Sequence, residues 1–486
     1  MGDFGPGRPE IIHQNGEVFR VWAPLPGRVE VEVDGRRVPM EPGEGGWWTA
    51  SVDGAGPGST YAFVLDGGEP RADPRSPSQP QGVFGPSAVV DHDAFEWTAH
   101  DWQGFDLATA VLYELHVGTF TPPGTFDGVI DKLDHLVDLG VTAVEVMPVA
   151  EFPGDRGWGY DGVNLYAPHH AYGGPDGLKR LVDACHRRSL GVVLDVVYNH
   201  LGPAGNHLAE FGPYFTDRFE TPWGDAVNFA EHEVRRFVVD NALMWLRDYR
   251  IDALRLDAVH AIHDDSDPHI LQQLAAEAGP GKHLIAESET IVPRLTREYG
   301  LAAQWHDEFH HAVHVALTGE RSGYYEPFVG IPDIAAAVEA AQPPERFVVF
   351  AQNHDQVGNR AVGERLSHLV TEEQARMAAA LVLSSRSVPL LFQGEEWAAS
   401  TPFQYFTDHA DPELGRAVSE GRRSEFGAFG WKPEDVPDPQ DPATFERSRL
   451  DWSEPAREPH AGMLRWYREL IALRRQGLRC DVRPEG

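Results

Sequence analysis

Cysteine is almost missing from this chain. Cys185 and Cys480 are the 2 cysteines among 486 residues, too few for a disulfide framework. Cys185 lies in an amphipathic stretch, Leu181–Ser189, and reads as a small buried hydrophobe. Basic residues are scarce too. The chain has 41 Lys and Arg against 75 Asp and Glu, a formal net charge of −34. That excludes a nucleic-acid or anionic-membrane surface and points to a neutral or cationic ligand. No apolar run reaches the ~18 residues of a membrane span. Met1–Pro9 lacks a basic start followed by an apolar run, so it reads as no secretory signal, and a cytoplasmic protein is expected. No G-x-G-x-x-G loop follows an early strand, and no internal repeat or low-complexity tract occurs. Nothing in the sequence fixes an oligomeric state.

What is present is material for a large core. The chain is 42% hydrophobic, 10% aromatic and only 24% charged, and its length suggests two or three domains. Residues 1–95 read as a small N-terminal β-sandwich. Val18–Trp22, Val29–Val33, Trp47–Val52 and Thr60–Leu65 alternate, are rich in β-formers, and are separated by Gly, Pro and Asp turns. Trp22, Trp47 and Trp48 are either core packing or sugar-stacking platforms, and packing is the commoner use of strand aromatics. Arg71–Ser87, rich in Pro, Ser and Gly, reads as a linker or a loop along the next domain.

Residues 96–486 change pattern. Strands are predicted at Val111–Val117, Val141–Val146, Gly191–Val197, Ala253–Leu256, Leu284–Ala286, Leu301–Trp305, Phe347–Ala351 and Val388–Phe392. Helices are predicted between and after them, among them Asp127–Leu139, Asp176–Ser189, Glu231–Tyr249, Ile331–Ala341, Thr371–Leu383 and Met463–Arg475. Eight alternating pairs mean an α/β fold, a (β/α)8 TIM barrel with enlarged loops. A doubly wound sheet is the rival, and it lacks its phosphate loop.

Barrel chemistry sits at the C-terminal ends of strands. The stretch Ile251–His260 carries Arg255, Asp257 and His260. An unpaired buried ion is costly, so Arg255 and Asp257 are expected where the strand meets solvent or a cleft. There Arg255 holds the Asp257 carboxylate ionised; a structural ion pair is the alternative. The third strand leads to Asp195, Tyr198, Asn199 and His200, the fifth to Glu287, and the seventh to Gln352, Asn353, His354, Asp355 and Gln356. The second is followed by Trp158, Tyr160 and Asp161. Three carboxylates and two histidines on one rim fit glycoside hydrolysis, which needs an ionised carboxylate and a carboxylic acid on either side of a sugar bond. Asp257 suits the first role. Glu287, flanked by Leu284, Ile285 and Ala286, suits the second, because apolar surroundings keep a carboxyl protonated. Asp355 and the histidines can hydrogen-bond ring hydroxyls. A metal site needs ligand pairs such as H-x-x-x-H or H-x-H, absent from these strand ends, so no metal or cofactor is expected. A barrel that only binds α-glucan is the non-catalytic alternative.

Four segments resemble, in order, the signature regions of the alpha-amylase superfamily, glycoside hydrolase family 13. They are Asp195-Val-Val-Tyr-Asn-His200, Leu254-Arg-Leu-Asp-Ala-Val-His260, Ala286-Glu287 and Gln352-Asn-His-Asp-Gln356. The β-rich start resembles the N-terminal module of isoamylases and branching enzymes. The resemblance implies a retaining double displacement with Asp257 as nucleophile, Glu287 as acid/base and Asp355 as transition-state stabiliser, and Arg255 supporting Asp257. It also implies His200 and His354 as sugar-hydroxyl partners and Tyr160 as the stacking residue of the cleaved-sugar subsite. Trp158, His260 and Gln356 join the substrate-binding candidates. Both carboxyl groups are then expected about 5–5.5 Å apart. Three further stretches, Pro74–Ser87, Trp223–Asn228 and Trp305–His311 with its continuation to Pro327, are similar to members that release trehalose from maltooligosyl trehalose. In such members Asp307, Glu308 and His311 lie near the trehalose subsites; a structural loop is the alternative. A 1,4-α-glucan branching enzyme is the other activity implied. Members of the superfamily usually carry a further C-terminal β domain, which the resemblance implies is missing before Gly486. The long calcium-holding insertion of many amylases is not evident either, despite Asn199 at a familiar calcium-ligand position.

Overall fold

The computed structural model describes residues 17–221, 223–427 and 431–480. From Leu112 onward the chain closes a parallel eight-stranded barrel. Its strands are β1 (Leu112–Leu115), β2 (Ala143–Val146), β3 (Gly191–Val196), β4 (Ala253–Leu256), β5 (His283–Ala286), β6 (Ala303–Trp305), β7 (Phe347–Val349) and β8 (Val388–Phe392). They pair in chain order, and β8 returns to β1.

Strand side chains alternate between inside and outside. Ala253 of β4 joins Leu112, Val193, Ile285, Trp305 and Val348 inside the barrel. Leu254 and Leu256 pack outward against the helical layer. The same alternation turns Arg255 inward, where it is fully buried. Of the two settings expected for Arg255, solvent or a cleft, the strand end meets a cleft floor, and the cation lies fully buried beneath it.

Residues 17–88 form two antiparallel sheets. Glu17–Trp22, Trp47–Val52 and Glu41–Pro42 make one; Arg36–Pro39, Val29–Val33, Thr60–Leu65 and Pro70–Arg71 are the path of the other. They pack face to face, with Phe19 and Tyr61 rings 4.9 Å apart. The tryptophans pack. Trp22 sits edge-on to Tyr214 at 5.3 Å and donates to the Gly45 carbonyl; Trp48 donates to the Ala23 carbonyl; Trp47 lies beneath the Arg20 guanidinium. The Pro-rich segment runs along the barrel. Arg75 Nη1 donates to Tyr166 Oη and Asp240 Oδ2, both at 2.9 Å.

Three elements depart from expectation. Asp127–Leu139 is two helices, Phe126–Ile130 and Leu133–Leu139, joined by a turn in which Lys132 N–H donates to the Val129 carbonyl at 2.9 Å, a break that periodicity does not register. Residues 307–318, outside the predicted helices, form the helix Asp307–Thr318, with two acids in its first turn and left-handed Gly319 at its end, both ordinary helix-end signals. A hairpin, Phe215–Thr221 with Gly224–Val227, rises between β3 and β4. Among the described residues no helix is long and apolar enough to cross a membrane.

Arg75→Met removes charged hydrogen bonds to Tyr166 and Asp240 while Asp240 keeps Arg236 as a partner. A loss of about 2 kcal/mol is expected, read as a lower urea midpoint at unchanged slope.

Candidate active site

Backbone hydrogen bonds between neighbouring strands fix the two central carboxyls. Asp257 N–H donates to the Val196 carbonyl, and Glu287 N–H to the Leu256 carbonyl. Directly after Asp257 the chain turns through Ala258 in the left-handed region, at φ 40° and ψ 53°, a conformation that costs a non-glycine residue. The turn aims the Ala258 N–H at Glu287 Oε2, 2.6 Å away.

Arg255 joins the groups. Its Nη1 donates to Asp257 Oδ1 and to Asp195 Oδ2, each at 2.7 Å, and its Nη2 lies 3.6 Å from Glu287 Oε2. The Trp305 ring supports the guanidinium from below, 4.4 Å from its carbon. Asn199 Nδ2 donates to the other Asp257 oxygen at 2.8 Å and to the Asp257 carbonyl at 2.9 Å. Asn199, at a familiar calcium-ligand position, gives its NH2 to Asp257, while its Oδ1 lies against His200 Nδ1.

Burial, reinforced by Asp257, Asp307 and Asp355 and opposed by Arg255, raises the Glu287 carboxyl to about 8. Burial likewise lifts Asp195 to about 6 against the pull of Arg255.

Tyr160 and His354 form the adjoining floor. Their rings stack 5.1 Å apart at 20°. Tyr160 Oη donates to Asp195 Oδ2 at 2.6 Å and lies 2.7 Å from His354 Nε2. Gly159 delivers Tyr160 at φ +100°, where a Cβ would sit 2.2 Å from the Pro148 carbonyl oxygen. Asp355, more exposed, is 3.4 Å from His354 Nε2 and accepts from Asn359 at 3.1 Å.

The remaining candidates spread outward. His200 donates through Nε2 to the Tyr160 carbonyl at 2.9 Å and stacks on the exposed Trp223, 4.3 Å away at 4°. Burial lowers the His200 imidazole pKa. His260 sits on the rim, 3.7 Å from Glu289. Asp307 and Glu308 open the helix that follows β6, and burial with Asp355 raises Asp307 to about 7. His311, one turn on, stands against Tyr324, Tyr325 and Phe328. Gln356 is half-buried, and its N–H is capped by Asn353 Oδ1 at 2.8 Å. Trp158 is 5% exposed. It stacks on Phe403 at 5.3 Å, stands edge-on to His354 at 5.6 Å and donates to the Gln404 carbonyl, which leaves it little face to offer a sugar; it packs behind the floor.

The floor uses three residues that were not singled out as site residues: Asp195, Asn199 and Glu114. The first two stood in the quoted segment after β3. Glu114 sits inside an apolar strand and gave no signal beyond its charge. Among the described residues, one group could hold a metal ion, Glu151, His169 and His170, with ligand atoms within 4.8 Å of one another. Both imidazole Nδ1 atoms lie on the same Glu151 oxygen, at 3.0 and 2.8 Å, and the group braces the base of the loop that carries Tyr160.

Residues 89–213 match the family described as alpha amylase, catalytic domain. A malto-oligosyltrehalose trehalohydrolase from Arthrobacter ramosus is 50% identical over 499 residues, covering 94% of this chain and 87% of that protein. One from Deinococcus radiodurans is 49% identical, covering 95% and 81%. A crystal structure of a candidate alpha amylase from Salmonella typhimurium superposes with a TM-score of 0.92 at 42% identity, covering 97% of this chain and 86% of that one. The chain belongs to the malto-oligosyltrehalose trehalohydrolase family of alpha-amylase-type glycoside hydrolases.

Proposed function

We propose that this enzyme hydrolyses the α-1,4-glucosidic bond next to the terminal trehalose of a maltooligosyl trehalose, with retention, and releases trehalose. The observation that carries the reading is the pair Asp257 and Glu287, bracketing one buried guanidinium at the barrel mouth, in a chain of this family.

Asp257 attacks the anomeric carbon, and the bond to the leaving oxygen breaks as Glu287 gives that oxygen its proton. The products of this half are trehalose and a glycosyl ester on Asp257. Glu287, now a carboxylate, takes a proton from water; the hydroxide oxygen bonds to the anomeric carbon and Asp257 leaves. Arg255 and Asn199 aim the Asp257 oxygens. Asp355 hydrogen-bonds the sugar as positive charge builds at the anomeric carbon. Tyr160 offers its ring to the glucosyl unit being transferred. Asp307, Glu308 and His311 lie toward the trehalose end. An uncharged sugar chain suits a protein with a net charge of −34, and a cytoplasmic setting goes with the same reading.

Chromatography of a maltooligosyl trehalose digest is expected to give trehalose and an oligosaccharide with a new reducing end. A shifted iodine colour of amylose without any trehalose would instead mean branching and overturn the reading. Asp257→Asn and Glu287→Gln are each expected to lose at least a thousandfold in kcat, about 4 kcal/mol of barrier; turnover near wild type in either removes that residue from its role.

The rate should be bell-shaped in pH. Glu287 must carry its proton, and its raised value means activity is lost as pH climbs through about 8. Asp195 must be charged to hold Arg255 and Tyr160, so activity is lost as pH falls through about 6. Profiles of kcat/KM between pH 4 and 10 check both limbs.

A further inference from the structure

Glu114 of β1 is buried and unused by the mechanism above. Its Oε2 accepts the His354 backbone N–H at 2.9 Å, and its Oε1 lies 2.5 Å from His354 Nδ1. On the far side of the ring, His354 Nε2 meets Tyr160 Oη at 2.7 Å, and Tyr160 Oη meets Asp195 Oδ2 at 2.6 Å.

Counting protons along this row gives its charge. A phenol has one hydrogen, and an ionised carboxylate only accepts. Tyr160 spends its hydrogen on Asp195, so the bond between Tyr160 and His354 is donated by Nε2–H. Glu114 takes the other ring proton, Nδ1–H. With both nitrogens protonated, the ring is a cation. We infer that Glu114 is a positioning residue that holds His354 as an imidazolium, a fixed positive charge stacked on Tyr160 and facing Asp355.

The surroundings agree. Burial opposes the charge, but Asp355 and Glu114 outweigh it and bring His354 to about 9, against the pull of Arg255. Asp195 and Asp307 also face the ring. His116 is held uncharged by burial, near 3. Glu145, the register partner of Glu114 on β2, has no hydrogen-bond partner for either side-chain oxygen. Burial raises it well above the usual carboxyl range, which disfavours its charged form. Glu114 alone meets His354 Nδ1.

Histidine-labelled protein and nitrogen-15 NMR test this without substrate. At pH 7.5 the His354 signal, assigned by its loss in His354→Gln, is expected to be that of a ring protonated at both nitrogens, and to titrate near pH 9. A neutral His354 in the wild type at pH 7 overturns the inference outright. Glu114→Gln should remove the imidazolium signal, and persistence of that signal also overturns it. The kinetic arm rests on the proposed hydrolysis. There Glu114→Gln should lower kcat at least tenfold with KM within twofold, and bring the alkaline limb at least one pH unit below the one Glu287 sets, because His354 then loses its proton first. Glu145→Gln, equally buried, should keep the wild-type profile. Superimposable wild-type and Glu114→Gln profiles, or equal shifts in both variants, count against Glu114. Because the NMR arm needs no turnover, failure of the reaction assigned above and failure of this role are told apart.

Discussion

The site depends on one buried guanidinium that has three carboxyls to serve. Arg255 is fully buried, and a buried ion without partners costs several kcal/mol. Two of its neighbours, Asp195 and Asp257, sit at hydrogen-bond distance; the third, Glu287, is 3.6 Å away. One cation cannot neutralise three anions in a medium of low polarity. The most distant acid is the one that keeps its proton, with burial pushing it to about 8.

Register makes that inequality reproducible. Asp195 and Arg255 are direct partners across β3 and β4, and Arg255 faces Ile285 across β4 and β5. A one-residue slip would turn the arginine into the helical layer and Leu254 into the cleft. Closure of the barrel removes that freedom, since every strand is paired on both sides. Interior Trp305 then serves as the platform on which the guanidinium rests.

The barrel, its strand ends and the three carboxyls were legible because period-2 and period-3.6 patterns report which way side chains face, and because charges at the ends of apolar strands stand out. Burial of Arg255 was not legible. Alternation told that Arg255 and Asp257 share a face but not whether that face met water. Glu114 and Asn199 were hidden for a related reason: their meaning lies in partners 240 and 58 residues away, and no local window spans those distances. The Asp307–Thr318 helix had its end signals, yet its histidine-rich middle, His310, His311 and His314, masks the apolar stripe formed by Phe309, Ala312, Val313 and Ala316.

The clasp on the loop after β2 has a bearing on movement. That loop is tied at its root by Glu151 to two histidines, at its tip by Arg156 to Asp408, and beside its aromatic pair by His200. Moving this floor would break all of these contacts together. Entry of a long glucan and departure of a disaccharide therefore fall to the parapet above it. The Trp223 hairpin and the Tyr324 turn each present an exposed aromatic ring there.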